Sequence, residues 1–251
     1  MGTITFNPDD LAATRTALGL TIGTDVLAPN GSGASITALN ASNLGSGTVP
    51  TARLGSGTAS GTTFLAGDST YKTVAAGLNH LTTVTASDSA SLDINSTLTD
   101  SYNNYFVTFS NLVPAVNDSE FVMRFSTNNG SSFTSSGYIF ELKHFYVGPS
   151  GDGASESTSS SSIRLVLAAG STASEGGFTG SMYIHSPTNS AVRTFVNWHA
   201  FQIYGSVSNT AAHLIGGAMV GSNTDDDAFQ ITNESGNIAS GTVRVYGIAN
   251  S

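Results

Sequence analysis

Residues 120–126 read EFVMRFS, in which Phe121, Met123 and Phe125 alternate with Glu120 and Arg124. A two-residue period sends successive side chains to opposite faces, so this stretch is a strand with one face in a core and the other in water. The same alternation returns with Ile163, Leu165 and Leu167 around Arg164, and with Phe178, Met182 and Ile184 around Thr179 and Ser181. Short runs of this kind, bounded by Gly, Asn, Ser and Pro, predict strands near 80–86, 103–110, 120–127, 137–147, 162–169, 177–186, 192–205, 211–220, 227–232 and 241–248. About ten strands with no helical period between them imply an all-β antiparallel sandwich, and the count favours a jelly roll over a smaller immunoglobulin-like arrangement. Two runs, GYIFELKHFYVG at 137–148 and VRTFVNWHAFQIYG at 192–205, are apolar on both faces. They are expected to be central strands covered on two sides, or strands at a subunit contact.

Upstream of Gly77 the pattern changes. Asn7 is a good N-cap, Pro8 fits the first helical position, Asp9 and Asp10 favour the positive helix end, and Gly19 can close a helix that carries Leu11 and Leu18 on one face. A helix of about eleven residues is marginal alone, so Leu11 and Leu18 are expected to dock on another surface. From Leu20 to Gly77 the chain is rich in Gly, Ser, Thr and Ala, and LGSGT at 44–48 returns at 54–58. Such a segment buries too little apolar area to offset its ordering entropy by itself. The spaced apolar residues Ile36, Leu39, Leu44, Val49, Leu54, Phe64 and Leu65 argue for a core shared between chains over a free linker.

DLAATRTALGL at 10–20, ITALNASNLGSGTVPTARLGSGTAS at 36–60 and TTFLAGDSTYKTV at 62–74 resemble the collar and shaft segments of tailed-bacteriophage tail-fibre and tailspike proteins. GNIASGTVRVYGIA at 236–249 resembles the closing strand of phage appendage tips. The resemblance implies a homotrimer with an intertwined shaft, a division into an attachment helix and shaft at 1–77 and a β-sandwich tip at 78–251, and a place on the virion. It also implies that Leu11 and Leu18 face other virion proteins.

Composition agrees with a protein that works outside a cell. Only 10% of the 251 residues are charged, so Ser, Thr, Asn and Gly keep the surface wet. The net charge of -9, with eight Lys and Arg spread singly, leaves no basic stripe for a nucleic acid. The absence of cysteine excludes disulfides and thiolate metal sites. No apolar run approaches the length of a membrane span, and MGTITFNPDD lacks the regions of a signal peptide. Synthesis in the host cytoplasm, without membrane insertion, is the expectation.

Chemistry is sparse. No nucleophile elbow, P-loop, dinucleotide fingerprint or zincin motif occurs, and no cofactor is expected. Glycan cleavage needs two converging carboxylates, and of the five glutamates only Glu141 lies in an apolar-rich run, where it reads as a same-face partner of Lys143. Asp225, Asp226 and Asp227 form the densest anionic spot and read as a solvated turn or, less simply, a calcium site. The five histidines show no His-x-His pair. Sugar rings stack on aromatic faces, which makes Tyr146, Tyr183, Trp198 and Tyr204 receptor-binding candidates, with core packing the competing role for Trp198. PSGDGASESTSSSS at 149–162 reads as a long loop offering Asp152 and Glu156. The expected function is host-surface glycan attachment by a fibre or spike subunit. Capsid decoration and glycan cleavage are the alternatives.

Overall fold

The computed structural model describes residues 11–19, 49–73, 77–147, 151–172, 176–204 and 211–250. The chain divides into two units, Met1–Val74 and Ala75–Ser251.

In the first unit α1 spans Leu11–Ala17. Its last turn closes through Leu18 N–H to Thr14 C=O at 3.1 Å and Gly19 N–H to Thr16 C=O at 3.0 Å, with Gly19 at φ +69°. Glycine takes that left-handed angle most readily, having no Cβ. The expected start of the helix at Asn7 to Asp10 lies outside the described residues, as do Ile36, Leu39 and Leu44 of the spaced apolar series. Farther on, β1 (Thr63–Leu65) and β2 (Tyr71–Thr73) form an antiparallel hairpin. Asp68 holds its turn, accepting from Thr70 Oγ1 and from Lys72 Nζ, each at 2.6 Å. Val49, Leu54, Phe64 and Leu65 are all exposed within the single chain, at 43–49%.

The second unit is nearly all β. Its strands are β3 (Leu78–Ser89), β4 (Ser91–Ile94), β5 (Asn104–Pro114), β6 (Ser119–Ser126), β7 (Tyr138–Val147) and β8 (Gly153–Ser160). They continue as β9 (Ile163–Ala169), β10 (Phe178–His185), β11 (Phe195–Ile203), β12 (Ala211–Val220), β13 (Ala228–Asn233) and β14 (Ile238–Ile248). Eight of them form one sheet in the order β3-β14-β5-β10-β11-β12-β7-β8, and four form another in the order β4-β13-β6-β9. Every neighbour pair is antiparallel.

The sheets share one core because each strand sends alternate residues to the same side. Phe121, Met123 and Phe125 of β6 are fully buried, but Val122 between them is buried as well, so the opposite face is half-covered and not open to water as the alternation implied. Phe121 meets Phe178 of β10 edge to face, with ring centroids 4.8 Å apart. Trp198 of β11 is 1% exposed and donates its Nε1–H to the Leu165 carbonyl of β9 at 2.8 Å, which ties the large sheet to the small one. Two buried tyrosines keep their hydroxyls satisfied. Tyr105 accepts from Thr99 N–H and donates to Thr99 C=O, both at 2.6 Å. Tyr138 accepts from Phe125 N–H at 2.7 Å and donates to Thr134 C=O at 3.1 Å, and burial pushes its hydroxyl up to about 12.

The expected loop at 149–162 is corrected by the structure: Gly153–Ser160 is strand β8, paired with β7 at the edge of the large sheet. Loop-like composition misleads here because an edge strand with one outward face and a thinly covered inner face needs few apolar side chains. The runs apolar on both faces also resolve. Tyr138, Phe140 and Leu142 of β7 and Val196, Trp198 and Ala200 of β11 enter the core. On the opposite face Phe145, Phe195 and Phe201 stay exposed, so among the described residues of the second unit these strands are covered on one side only.

Candidate functional site

The outward face of the large sheet carries a row of side chains in register across all eight strands. It runs His80, Tyr246, Phe106, Tyr183, Asn197, Gly217, Glu141, Glu156, one position per strand from β3 to β8. Adjacent strands lie about 4.8 Å apart, so the first four positions make a strip about 15 Å long.

That first half is aromatic. His80 and Tyr246 meet edge to face at 5.4 Å, Tyr246 and Phe106 lie 6.3 Å apart, and Phe106 and Tyr183 lie 5.0 Å apart. Beside Tyr183 the stacked His185 ring, 6.1 Å away, sits between two amides: Nδ1 is 3.0 Å from Asn104 Oδ1 and Nε2 is 2.8 Å from Asn197 Oδ1. A neutral imidazole donates from one nitrogen and accepts at the other, so one of the two asparagines then presents its NH₂ to the ring. Apolar ring faces and amide donors and acceptors therefore stand side by side on an exposed surface.

The second half is a trough. Gly217 has no side chain to fill its place, and a Cβ there would meet nothing closer than the Val196 carbonyl at 4.0 Å. Around it Ile139, Glu141, Glu156, Phe195 and Met219 line an open depression of about 730 Å³. Glu141 and Glu156 are directly opposite each other on β7 and β8, and Glu141 pairs with Lys143 at 3.4 Å. The pairing of these two positions was not visible in the sequence, because Glu156 lay in the expected loop. The seat is open, with the Glu141 side chain 57% exposed, whereas a glycosidase prepares its acid by enclosure.

The other candidates separate. Tyr183 lies on the outward face at 41% exposure, while Trp198 is in the core. Tyr146 and Tyr204 pack against the core with rings 5.1 Å apart and their hydroxyls hydrogen-bonded to each other, and burial holds the Tyr204 hydroxyl well above its ordinary range. Asp152 accepts from Tyr146 N–H at 3.2 Å and so closes the β7–β8 connection. Leu18 is 46% exposed.

Asp225, Asp226 and Asp227 do not converge. Asp226 is fully buried, accepting from Thr194 Oγ1 at 2.5 Å and Thr224 Oγ1 at 3.1 Å, and burial pushes its carboxyl up to about 6. Asp227 accepts from Asn129 N–H at 2.8 Å. Among the described residues no group of three or more His, Asp or Glu is placed to hold a metal ion.

A half-buried polar group joins the two sheets near β8. Arg164 Nε binds Glu120 Oε2 at 2.6 Å and its Nη1 donates to Ser155 Oγ at 2.8 Å. Burial raises the Glu120 carboxyl, with Arg164 opposing it. Compared with family models, with curated proteins and with solved structures, the chain finds no match in any of the three.

Proposed function

We propose that this chain is a structural subunit of a tailed-bacteriophage virion, a homotrimeric tail fibre or spike that holds a host-surface glycan without cleaving it. The observation that carries this reading is the aromatic row from His80 to Tyr183, flanked by Asn104, His185 and Asn197 on an open sheet face. Pyranose rings stack on such faces while amides bind their hydroxyls. The strand order supports a jelly-roll sandwich: β3-β14-β5-β10 against β4-β13-β6-β9, with the pairs β7–β8 and β11–β12 widening one sheet. The exposed Val49, Leu54, Phe64 and Leu65 support a shaft whose core comes from several chains, and α1 with Leu18 supplies a surface toward other virion proteins. Three weak sites acting together hold a cell far more firmly than one.

Full-length protein should compete with its phage for adsorption and release no reducing ends from host polysaccharide. Tyr183→Ala combined with Asn197→Ala should weaken that competition at least about tenfold, the worth of one or two lost contacts, while melting stays unchanged. Unimpaired competition by this variant would remove the site. A stoichiometry of many copies per head in purified virions would favour capsid decoration.

A further inference from the structure

We infer that the outward face of β7 and β12, bordered by Phe195 and Phe201 of β11, packs against a second copy of this chain. The large sheet is divided on that face. Over β3, β14, β5 and β10 the outward positions outside the aromatic row are largely Thr and Ser, such as Thr83, Thr108, Thr242 and Ser181. Over β7, β12 and β11 they become Ile139, Phe145, Phe195, Phe201, Ile215 and Met219, of which Phe201 is 57% and Phe195 48% exposed. Nothing in the packing of a single chain requires that change, and contiguous apolar surface on a soluble protein marks a contact.

Charge selects the occupant. The chain carries 17 acidic against eight basic residues, so copies of it repel one another over most of their surface. On the outward faces of β7, β11 and β12 the charged side chains are Glu141 and Lys143, which neutralise each other at 3.4 Å. Apart from Glu156 of β8, which lines the same depression, this face can therefore approach an identical, acidic chain without bringing like charges together. Shape agrees with charge. Val147, 72% exposed, and Phe201 project at one end of the strands, and the depression floored by Gly217 opens toward the other end. A knob and a hole at different places on one surface suit the head-to-tail contacts of a ring. The choice of a second copy rests on the trimeric reading proposed above, which also supplies high effective concentration: chains already joined through residues 1–77 need only a modest additional contact.

The test uses the full-length chain, which has no cysteine of its own, carrying either Ile215→Cys or, as a reference on β3, Thr83→Cys. Light scattering gives the mass, and the rate of reaction with a thiol reagent reports cover at each position. Expected is a trimeric mass with the Ile215→Cys thiol reacting at least about tenfold more slowly than the Thr83→Cys thiol, and recovery of fast reaction when Phe201→Glu is added. A trimer in which both thiols react equally fast overturns this interface and leaves the fibre reading standing. A monomer with native β circular dichroism overturns both. A monomer in which the Ile215→Cys thiol is slow also overturns the interface, since no second copy then covers it. Unchanged β circular dichroism of the Ile215→Cys and Thr83→Cys chains verifies that both positions tolerate the thiol.

Discussion

Gly216 sits opposite Trp198 in the β11–β12 ladder, and a Cβ there would lie 2.0 Å from the indole ring. The indole is anchored by its bond to Leu165 and cannot move aside without losing it. Gly216→Ala should therefore destabilise by about 1–3 kcal/mol, the usual cost of overpacking a core, and lower the melting temperature by several degrees. Gly217→Ala, one residue on and facing open space, should leave it unchanged. Fluorescence follows both, since Trp198 is the only tryptophan. Asp226 makes a second residue-scale prediction. Its folded carboxyl titrates near 6 against 3.8 in the reference state, so the folded chain binds the proton more tightly than the unfolded chain. Its contribution to stability is then fully present below about pH 4 and is lost as pH rises through 6, by up to about 3 kcal/mol. His144 works in the opposite sense, because burial lowers its imidazole and acidification must charge it. The comparison that isolates Asp226 is the difference in melting temperature between the chain and Asp226→Asn. That difference should shrink or reverse in favour of the variant on going from pH 5 to pH 7, and a constant difference would refute the assignment.

Elements with strong alternation were legible in the sequence, and those without it were not. Strands β5, β6, β7, β9, β10, β12 and β13 fall close to their expected positions, because each buries one face in a common core and the two-residue period has to appear. SLDI of β4 is too short to establish a period. GASESTSS of β8 has nothing apolar larger than Ala154 to repeat. Of the outward row, Tyr183, Glu141 and Glu156 were singled out in the sequence. The row to which they belong depends on register between strands far apart in sequence, and irregularities at Phe178/Gly180 and Val245/Tyr246 shift that register in a way no local pattern records. Recognising β8 as a strand reverses one expectation. Deleting Ser155–Ser161 would trim no mobile loop: it removes most of the partner of β7, breaks the Arg164–Ser155 bond and bares a long edge rich in apolar residues. The shortened protein should melt several degrees lower and scatter more light on heating. Unchanged melting would mean that β8 contributes nothing to the sheet.

At the scale of the molecule the buried cluster lies entirely between Ala86 and Val245, within the second unit. The ends of that unit are fastened to its own strands. Leu78 pairs with Ile248, Ala249 N–H reaches Gly77 C=O at 3.1 Å, and Asn250 Oδ1 accepts from Asn103 N–H at 3.1 Å. No described core residue is supplied from residues 1–74, so a chain beginning at Ala75 keeps every buried side chain and every strand of both sheets. It should fold alone, with β-type circular dichroism and one cooperative melting transition reported by Trp198. A chain beginning at Ser91 should behave otherwise. It loses β3, and with it the cover over the whole length of β14 and the buried Ala86, leaving an unpaired edge on the strand that joins β3 to β5. Loss of about one strand's pairing and packing is comparable to the 5–15 kcal/mol by which a domain exceeds its unfolded state. The expected result is a cooperative transition for the chain from Ala75, and aggregation or a broad, low transition for the chain from Ser91. If the chain from Ala75 is itself unfolded, the second unit draws stability from the first. If both chains melt alike, β3 is an accessory strand and the core closes without it.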